Sequence, residues 1–203
     1  MSLIEDSAES IIRSSGSELG PLEALYRDSR MQPPTVKLAP RHDEIPLATH
    51  RSLWQWWSAQ ADQDALPNMD LITPAALKPY LGRLILMEPI DGGADFRYRL
   101  YGSTIAHFVG NDFTGKLLSE TYTHREFPEV AMSCHLATFR ASIQARCPLY
   151  MAENRDHKVT PYTWQRLLLP FADAEGTVAR VVLYTVPCDN NGAPMPAWRM
   201  TDA

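Results

Sequence analysis

The sequence has too few cysteines, in the wrong arrangement, for a disulfide framework. Three of its 203 residues are cysteine, namely Cys134, Cys147 and Cys188, and no two of them have CxxC spacing. An odd, widely spaced set is typical of reduced thiols in a cytosol rather than of a small secreted domain. The same lack of Cys and His pairs argues against a structural zinc site.

Long hydrophobic runs are also missing. No window approaches 18 consecutive apolar residues, so we expect no segment that spans a membrane. Glu5 and Asp6 lie near the N-terminus, where a secretory signal would need a basic start and then an apolar run. We therefore expect a cytoplasmic protein without a membrane partner.

The charge distribution contains no basic stripe. Lys and Arg number 19 and Asp and Glu 24, which gives a formal net charge of -5, and the two signs are interspersed. This argues against a nucleic-acid partner, because phosphate backbones are bound by clustered cations. Hydrophobic residues make up 45% of the chain, which is enough to build one core without disulfides or a structural metal ion.

Common catalytic motifs are absent as well. The sequence has no Gly-x-Ser-x-Gly elbow, no Walker loop and no Gly-x-Gly-x-x-Gly. Its carboxylates outside the tails lie mostly in expected turns, where turn chemistry explains them. We therefore expect a protein that is not an enzyme.

Composition divides the chain into three parts. Residues 1–45 are rich in Ser, Gly and Pro, with two short helical patterns, and indicate a flexible or partly helical N-terminal arm. Residues 46–188 carry regular hydrophobic periodicity and form the expected domain. Residues 189–203 contain Asn, Gly and Pro and indicate a loose C-terminal tail.

Periodicity within the domain predicts the order helices, two strands, helices, three strands. The expected strands are 84–88, 96–101, 149–153, 160–169 and 177–186, and a long helix opens at Pro128. Asp91-Gly92-Gly93 supplies the positive φ angles of a tight hairpin. Hairpin connections predict an α+β fold, with a five-stranded antiparallel sheet, helices packed on one face and N-terminal helices before it.

Three segments carry a resemblance to a known family. They are residues 66–77 (LPNMDLITPAAL), residues 96–104 (FRYRLYGST, followed by Phe-Val-Gly and Phe-Thr-Gly) and residues 167–171 (LLLPF). In this order and spacing the sequence resembles proteobacterial PAS-like domain proteins over about residues 50–187. The resemblance implies a PAS-like five-stranded sheet over a central cavity. It also implies a role as a sensor or protein-interaction module in bacterial signalling.

The resemblance raises the question of a cofactor, since many PAS domains hold flavin, haem or a small organic ligand. The Asn-Cys-Arg-Phe-Leu-like motif of the light-sensing flavin type is absent. Haem needs an axial histidine, for which His107 and His135 are the candidates. The identity of any cofactor is left open.

Aromatic and basic residues of the expected strands are the candidate ligand-binding residues. They are Tyr98, Arg99, His107, Tyr150, Tyr162, Trp164 and Arg166. The aromatic rings supply an apolar lining with polar tips, and Arg99 or Arg166 is a candidate anchor for an acidic ligand. Alternation places Tyr162, Trp164 and Arg166 on one face, which either lines the cavity or forms an interaction surface.

The leading hypothesis is a non-enzymatic PAS-like sensor or regulatory module that acts through protein–protein interaction. The expected partners are a signalling protein such as a sensor kinase, a second copy of the chain in a homodimer, and a possible small organic ligand. One alternative is a receptor or carrier for a small molecule or haem. A second is a small cone-shaped isomerase-like enzyme with Glu153 or His135 as base.

Overall fold

The computed structural model describes residues 3–13, 20–27, 32–62, 65–122, 128–155 and 162–196. Within these ranges six strands form one sheet: β1 (Thr35–Leu38), β2 (Leu84–Ile90), β3 (Asp95–Tyr101), β4 (Leu149–Arg155), β5 (Tyr162–Ala172) and β6 (Val178–Cys188). Their order is β1-β4-β5-β6-β2-β3, and all neighbours are antiparallel. The α+β fold class and its five expected strands are confirmed, and β1 extends the sheet by a sixth.

The hairpin between β2 and β3 turns as its sequence predicts. Asp91, Gly92 and Gly93 all have positive φ, at 47°, 67° and 93°. Glycine adopts this left-handed region without the clash that a Cβ would cause. The turn pairs Ile90 with Asp95 and so sets the register of the two strands.

Helices lie on both sides of the sheet. They are α1 (Leu3–Arg13), α2 (Gly20–Tyr26), α3 (Ala48–Ser58), α4 (Pro74–Leu77), α5 (Ser103–Val109) and α6 (Pro128–Ala145). Within the described ranges, none of them combines the length and apolar character that a bilayer crossing requires. The long helix α6 lies between the sheet and α1, as its two apolar stripes predict.

The alternation of β5 builds the two faces of the sheet. Trp164 and Leu168 lie in the core beneath α5 and α6, which we call the cavity face. Leu167, Leu169 and Phe171 lie in a second core on the other side, which we call the α3 face. A strand that is apolar on both faces is buried on both, because each face needs a partner layer.

The expectation that the helices gather on one face holds for α1, α2, α5 and α6. By contrast, α3 packs on the opposite face, where Leu53 and Trp57 are buried against β5 and β6. The indole N–H of Trp57 donates to the carbonyl of Pro170 at 2.9 Å. The reason is the continuous apolar α3 face, which would otherwise remain in water.

The segment expected to form an N-terminal arm contains helices and a strand. In α1, Ala8 and Ile11 are buried against the core, and α1 makes its main contacts with α6. Strand β1 pairs with β4, with Val36 opposite Met151. The domain boundaries at 45/46 and 188/189 stay a prediction, and residues 197–203 of the expected tail lie outside the described residues.

Candidate functional site

A cavity lies between the cavity face of the sheet and helices α5 and α6. It offers about 60 Å³ in which a water-sized group can be centred. Most of its lining is aliphatic or aromatic and comes from β2, β3, β5, β6, α5, α6 and the segment between α5 and α6. Its polar lining consists of Thr121, Tyr122, His135, Arg166 and Thr185. An apolar lining with a few convergent polar groups is typical of small-molecule sites.

Two groups of aromatic rings form the walls of this cavity. Tyr98 and Tyr101 meet edge to face, with ring centroids 5.4 Å apart, and both contact Phe113. On the other side, Trp164 lines the cavity, and its ring centroid lies 4.8 Å from that of Phe108 of α5. Such pairs hold each other in place, so the walls are stiff even though they belong to different elements.

A chain of buried polar groups crosses the floor of the cavity. The hydroxyl of Tyr122 is hydrogen-bonded to Nδ1 of His135, and Nε2 of His135 lies 3.4 Å from Oε2 of Glu153. The same oxygen of Glu153 accepts a hydrogen bond from Nη1 of Arg166 at 2.5 Å. Glu153 is 0% exposed and Arg166 9%, so the ion pair is shielded from water.

Strand pairing explains why Glu153 and Arg166 meet. In β4, Leu149 and Met151 face the cavity core, and alternation places Glu153 on the same side. Met151 is opposite Arg166 in β5, so Glu153 and Arg166 are diagonal neighbours on one face. Diagonal pairs across two strands are within reach of long side chains. The fully buried carboxylate requires this partner, because an isolated ion there would be strongly destabilising.

The hydroxyl of Thr185 completes the polar lining. Thr185 in β6 is directly opposite Arg166 in β5, so both side chains project from the same face. It is 2% exposed, and within the described part of the chain its Oγ1 has no hydrogen-bond partner. An unsatisfied buried hydroxyl is costly. A bound molecule that accepts or donates a hydrogen bond there would remove this cost.

Metal binding has no support at this site. In the portion of the chain that the structure describes, no group of three or more His, Cys, Asp or Glu side chains is placed to hold a metal ion. The three cysteines lie in three different places, two of them buried, and form no disulfide with one another. Burial raises the pKa of the Cys188 thiol to about 11, which keeps it protonated and unreactive.

The structure brings three of the candidate ligand-binding residues into the cavity lining, namely Tyr98, Trp164 and Arg166. A fourth, Tyr162, lies beside them, with its ring 5.7 Å from that of Trp164. The shared face of β5 is therefore the cavity face, on which Trp164 is buried and Tyr162 half-buried. Their role in binding stays a prediction.

The remaining three candidates, Arg99, His107 and Tyr150, lie outside the lining of this cavity, and their role in binding also stays a prediction. Arg99 is about half exposed and lies 3.9 Å from Glu88. His107 is exposed, because α5 turns Ile105 and Val109 towards the cavity instead. Tyr150 lies on the α3 side.

The position of Tyr150 follows from its neighbours. It is paired with Leu167 of the α3 face, and its hydroxyl donates to Oε1 of Gln165 at 3.3 Å. Burial on that face raises the pKa of Tyr150 to about 12. Strand alternation thus separates it from Glu153, three residues further along β4.

A β-bulge in β3 decides which of its side chains share a face. Strict alternation puts Tyr98 and Leu100 together and Tyr101 on the other side. The register shifts here, so that Leu86 is opposite Leu100 and Met87 opposite Tyr98. The extra residue reverses the alternation. Tyr101 therefore joins Tyr98 at the cavity, and Leu100 packs on the α3 face.

Sequence reasoning did not connect Tyr122 or Thr185 with the site. It treated His135 and Glu153 only as candidate axial ligand or catalytic base. A signal was present for Glu153, because a carboxylate in step with Leu149 and Met151 falls on an otherwise apolar strand face. No comparable signal marks Tyr122, which lies in the 3-10 turn Ser119–Tyr122.

Comparison with known proteins places this geometry in a family. The model of a PAS domain family matches residues 46–184, which is more than half of the chain. No curated protein matches. Among solved structures, one described as the structure of an RNA-binding light-oxygen-voltage receptor is 11% identical with a TM-score of 0.36. That match covers 97% of this chain and 62% of the other, so this chain spans less than two thirds of that receptor's chain. On the family match, the chain belongs to the PAS domain family, whose members generally act as sensory or regulatory modules.

Proposed function

We propose that this PAS domain is a ligand-controlled regulatory module that binds a small polar organic molecule in the cavity beneath α5 and α6. The observation that carries the proposal is the polar floor of an otherwise apolar cavity. Arg166 and the unsatisfied hydroxyl of Thr185 project into it side by side. The buried ion pair between Glu153 and Arg166 supports the position of the Arg166 side chain at this floor.

Stability alone does not account for these groups. Replacing a buried ion pair by apolar residues of similar volume is often neutral or stabilising. A cavity surrounded by Leu, Phe and Ile would cost less than one that holds a guanidinium and an orphan hydroxyl. Groups that are unfavourable for folding and converge on one cavity are characteristic of binding sites.

The signal would pass to a partner protein, for example a sensor kinase, through a change in partner affinity. Ligand binding shifts such an equilibrium only if it favours one state of the module. The element placed to transmit it is α6, because it carries His135 at the cavity and packs against α1 on its other side. The partner would then bind near α1 and α6, or as a second copy of the chain.

The first test is a search for the ligand. Native mass spectrometry of protein purified from its own host, with a thermal-shift screen of small polar molecules, should identify a retained or stabilising compound. The variant Thr185→Val should weaken binding of that compound, because it removes the orphan hydroxyl at nearly constant shape. The matched control is Thr163→Val. Thr163 is half-buried, and its hydroxyl donates to Asn154 away from the cavity. A host-purified protein without any retained mass and without a hit in the screen would count against the proposal.

A second measurement separates a regulatory module from a plain carrier. Capture of a partner from the host, or self-association followed by light scattering, should change when the identified compound is added. Binding of the compound with no effect on either association would favour the receptor or carrier alternative. Haem fits poorly as that compound, because His107 is exposed and a cavity of about 60 Å³ is too small for the macrocycle.

The isomerase-like alternative has one supporting observation. The two residues expected to serve as its base, His135 and Glu153, are in contact at the cavity floor. Turnover of a carbonyl compound that is abolished in Glu153→Gln protein whose circular dichroism shows it to be folded would favour this alternative. The regulatory proposal expects the identified compound to be recovered unchanged.

A further inference from the structure

One end of the cavity is polar, because Thr185 and Arg166 meet there. Thr185 in β6 is directly opposite Arg166 in β5, and both side chains line the cavity. Thr185 is 2% exposed, and its hydroxyl has no hydrogen-bond partner among the described residues. A hydroxyl donates or accepts a hydrogen bond, whereas a guanidinium only donates. A ligand atom that contacts both groups is therefore an acceptor, such as the oxygen of an alcohol, a carbonyl or a carboxylate.

The other end of the cavity is apolar. Leu183 lies two residues before Thr185 in β6, so its side chain projects from the same face about 7 Å away. Leu183 is opposite Ile85 of β2, and Ile105 of α5 lines the cavity with them. All three side chains are buried. A molecule that extends from Thr185 along β6 thus meets hydrogen-bonding groups at one end and hydrocarbon at the other.

The unsatisfied hydroxyl of Thr185 also distinguishes between water and an organic ligand. A buried water molecule needs about two to four polar partners, and the end of the cavity at Leu183 and Ile85 supplies none. The hydroxyl of Thr121, another polar group of the lining, already donates to the carbonyl of Leu118. An amphiphile satisfies Thr185 and fills the apolar end at the same time, so it suits the whole cavity better than water does.

The volume of the cavity limits the length of this amphiphile. A water molecule needs roughly 10–15 Å³ of this kind of space, so about 60 Å³ admits about four to six water-sized groups. We infer that the ligand is a short amphiphile of about four to six non-hydrogen atoms. Its oxygen accepts from Thr185 and Arg166, and its hydrocarbon chain lies against Leu183 and Ile85. This inference rests on the proposed function, since it names the chemical class of the ligand in that cavity.

The first experiment varies the length of the chain. The full chain, isotope-labelled in the methyl groups of Ile, Leu, Val and Thr, is titrated with the straight-chain primary alcohols from ethanol to heptanol and followed by NMR. Affinity should rise roughly fourfold with each added methylene until the cavity is full at about the size of butanol or pentanol, and fall beyond it. The largest chemical-shift changes should occur at the methyl groups of Thr185, Leu183 and Ile85. Ligands this small bind in roughly the micromolar to millimolar range, which sets the concentrations.

The second experiment changes the polar end at nearly constant length. Butanol, butanone and butyrate each carry an oxygen acceptor, whereas protonated butylamine only donates. At least one of the three oxygen compounds should bind about tenfold more tightly than butylamine, and the comparison among them identifies the oxygen that the site prefers. Thr185→Val should weaken binding of the preferred compound several-fold without changing the best chain length. Thr163→Val, the control away from the cavity, should leave both unchanged.

The variant Leu183→Val tests the apolar end. It removes one carbon from the wall without adding a polar atom, so the best chain should become longer by about one methylene while the preference for oxygen stays. Thr185→Val and Leu183→Val thus change different properties of the same site. The two wild-type titration series remain decisive if either variant does not fold.

Four results would overturn the inference. They are affinity that does not depend on chain length, butylamine that binds as tightly as the oxygen compounds, chemical-shift changes confined to methyl groups away from Thr185 and Leu183, and no binding in either series. The last would indicate that water fills the cavity or that the ligand has another chemistry. Each leaves the proposed function intact when the wider screen yields a different compound. Failure of every small molecule in that screen would instead count against the proposed function.

Discussion

Replacing Glu153 by Gln should destabilise the fold by about 3–5 kcal/mol, the usual cost of removing one partner of a buried ion pair. The structure indicates the upper part of this range. Glu153 is 0% exposed, its Oε2 lies 2.5 Å from Nη1 of Arg166, and Arg166 itself is only 9% exposed. The variant therefore leaves a guanidinium in the core without a counter-charge. Domains of this size have about 5–15 kcal/mol of total stability, so a large part would be lost.

The double variant Glu153→Gln, Arg166→Met tests whether the cost comes from the unpaired charge. With both charges removed, the free energy of unfolding should recover to within about 1 kcal/mol of the wild type, or exceed it. The double variant should then be more stable than either single variant by at least about 2 kcal/mol. This non-additivity is the signature of two residues in direct contact.

Urea unfolding followed by circular dichroism and tryptophan fluorescence measures all four proteins. The matched control is Glu9→Gln, which removes an ion pair with Arg13 on the surface of α1 and should change stability by less than about 0.5 kcal/mol. Strictly additive effects of Glu153→Gln and Arg166→Met would refute the reasoning. So would a Glu153→Gln variant that is as stable as the control.

Three further predictions concern the α3 face and the backbone. Burial lowers the pKa of His50 from its ordinary 6.5 to about 4. Between these pH values this histidine is therefore protonated in the unfolded chain and neutral in the folded protein. The wild type should therefore lose about 3 kcal/mol more stability than His50→Gln between pH 7 and pH 4 in urea titrations; parallel pH profiles would contradict this. Trp57→Phe removes the N–H that donates to the carbonyl of Pro170 and should lower the free energy of unfolding by about 1–3 kcal/mol. An unchanged midpoint of urea unfolding would contradict this. A Cβ at Gly102 would lie 2.6–2.7 Å from backbone carbonyl oxygens, whereas Gly110 has open space and a φ of 77°. Thermal unfolding should thus show a larger loss for Gly102→Ala than the roughly 1 kcal/mol expected for Gly110→Ala.

The strands were accessible from the sequence because their signal is local. Alternation, β-branched residues and the Asp91-Gly92-Gly93 turn predict β2 and β3 with their hairpin. The alternation of β5 also shows that Trp164 and Arg166 share a face. It does not show which face, since Leu167 and Leu169 on the other side are equally apolar. That choice depends on which helices cover each side.

The faces of β3 cannot be read from strict alternation, because a bulge is not visible in a hydrophobic pattern. One extra residue between Tyr98 and Tyr101 brings both rings to the cavity. Periodicity assumes regular pairing with the neighbouring strand. The bulge belongs to the pairing of β3 with β2, so only the assembled sheet reveals it.

The sequence by itself predicted the class of the fold, five of its six strands in chain order and the turn between β2 and β3, because neighbouring residues determine these features. Tertiary structure alone decided the candidate site. Tyr122, His135, Glu153 and Arg166 come from a turn, a helix and two strands, and nothing in any one segment shows that they meet. Their contact depends on α6 lying across the sheet and on the register of β4 with β5. Such long-range geometry has no period in the chain, since it arises when the apolar faces of separate elements are buried against each other.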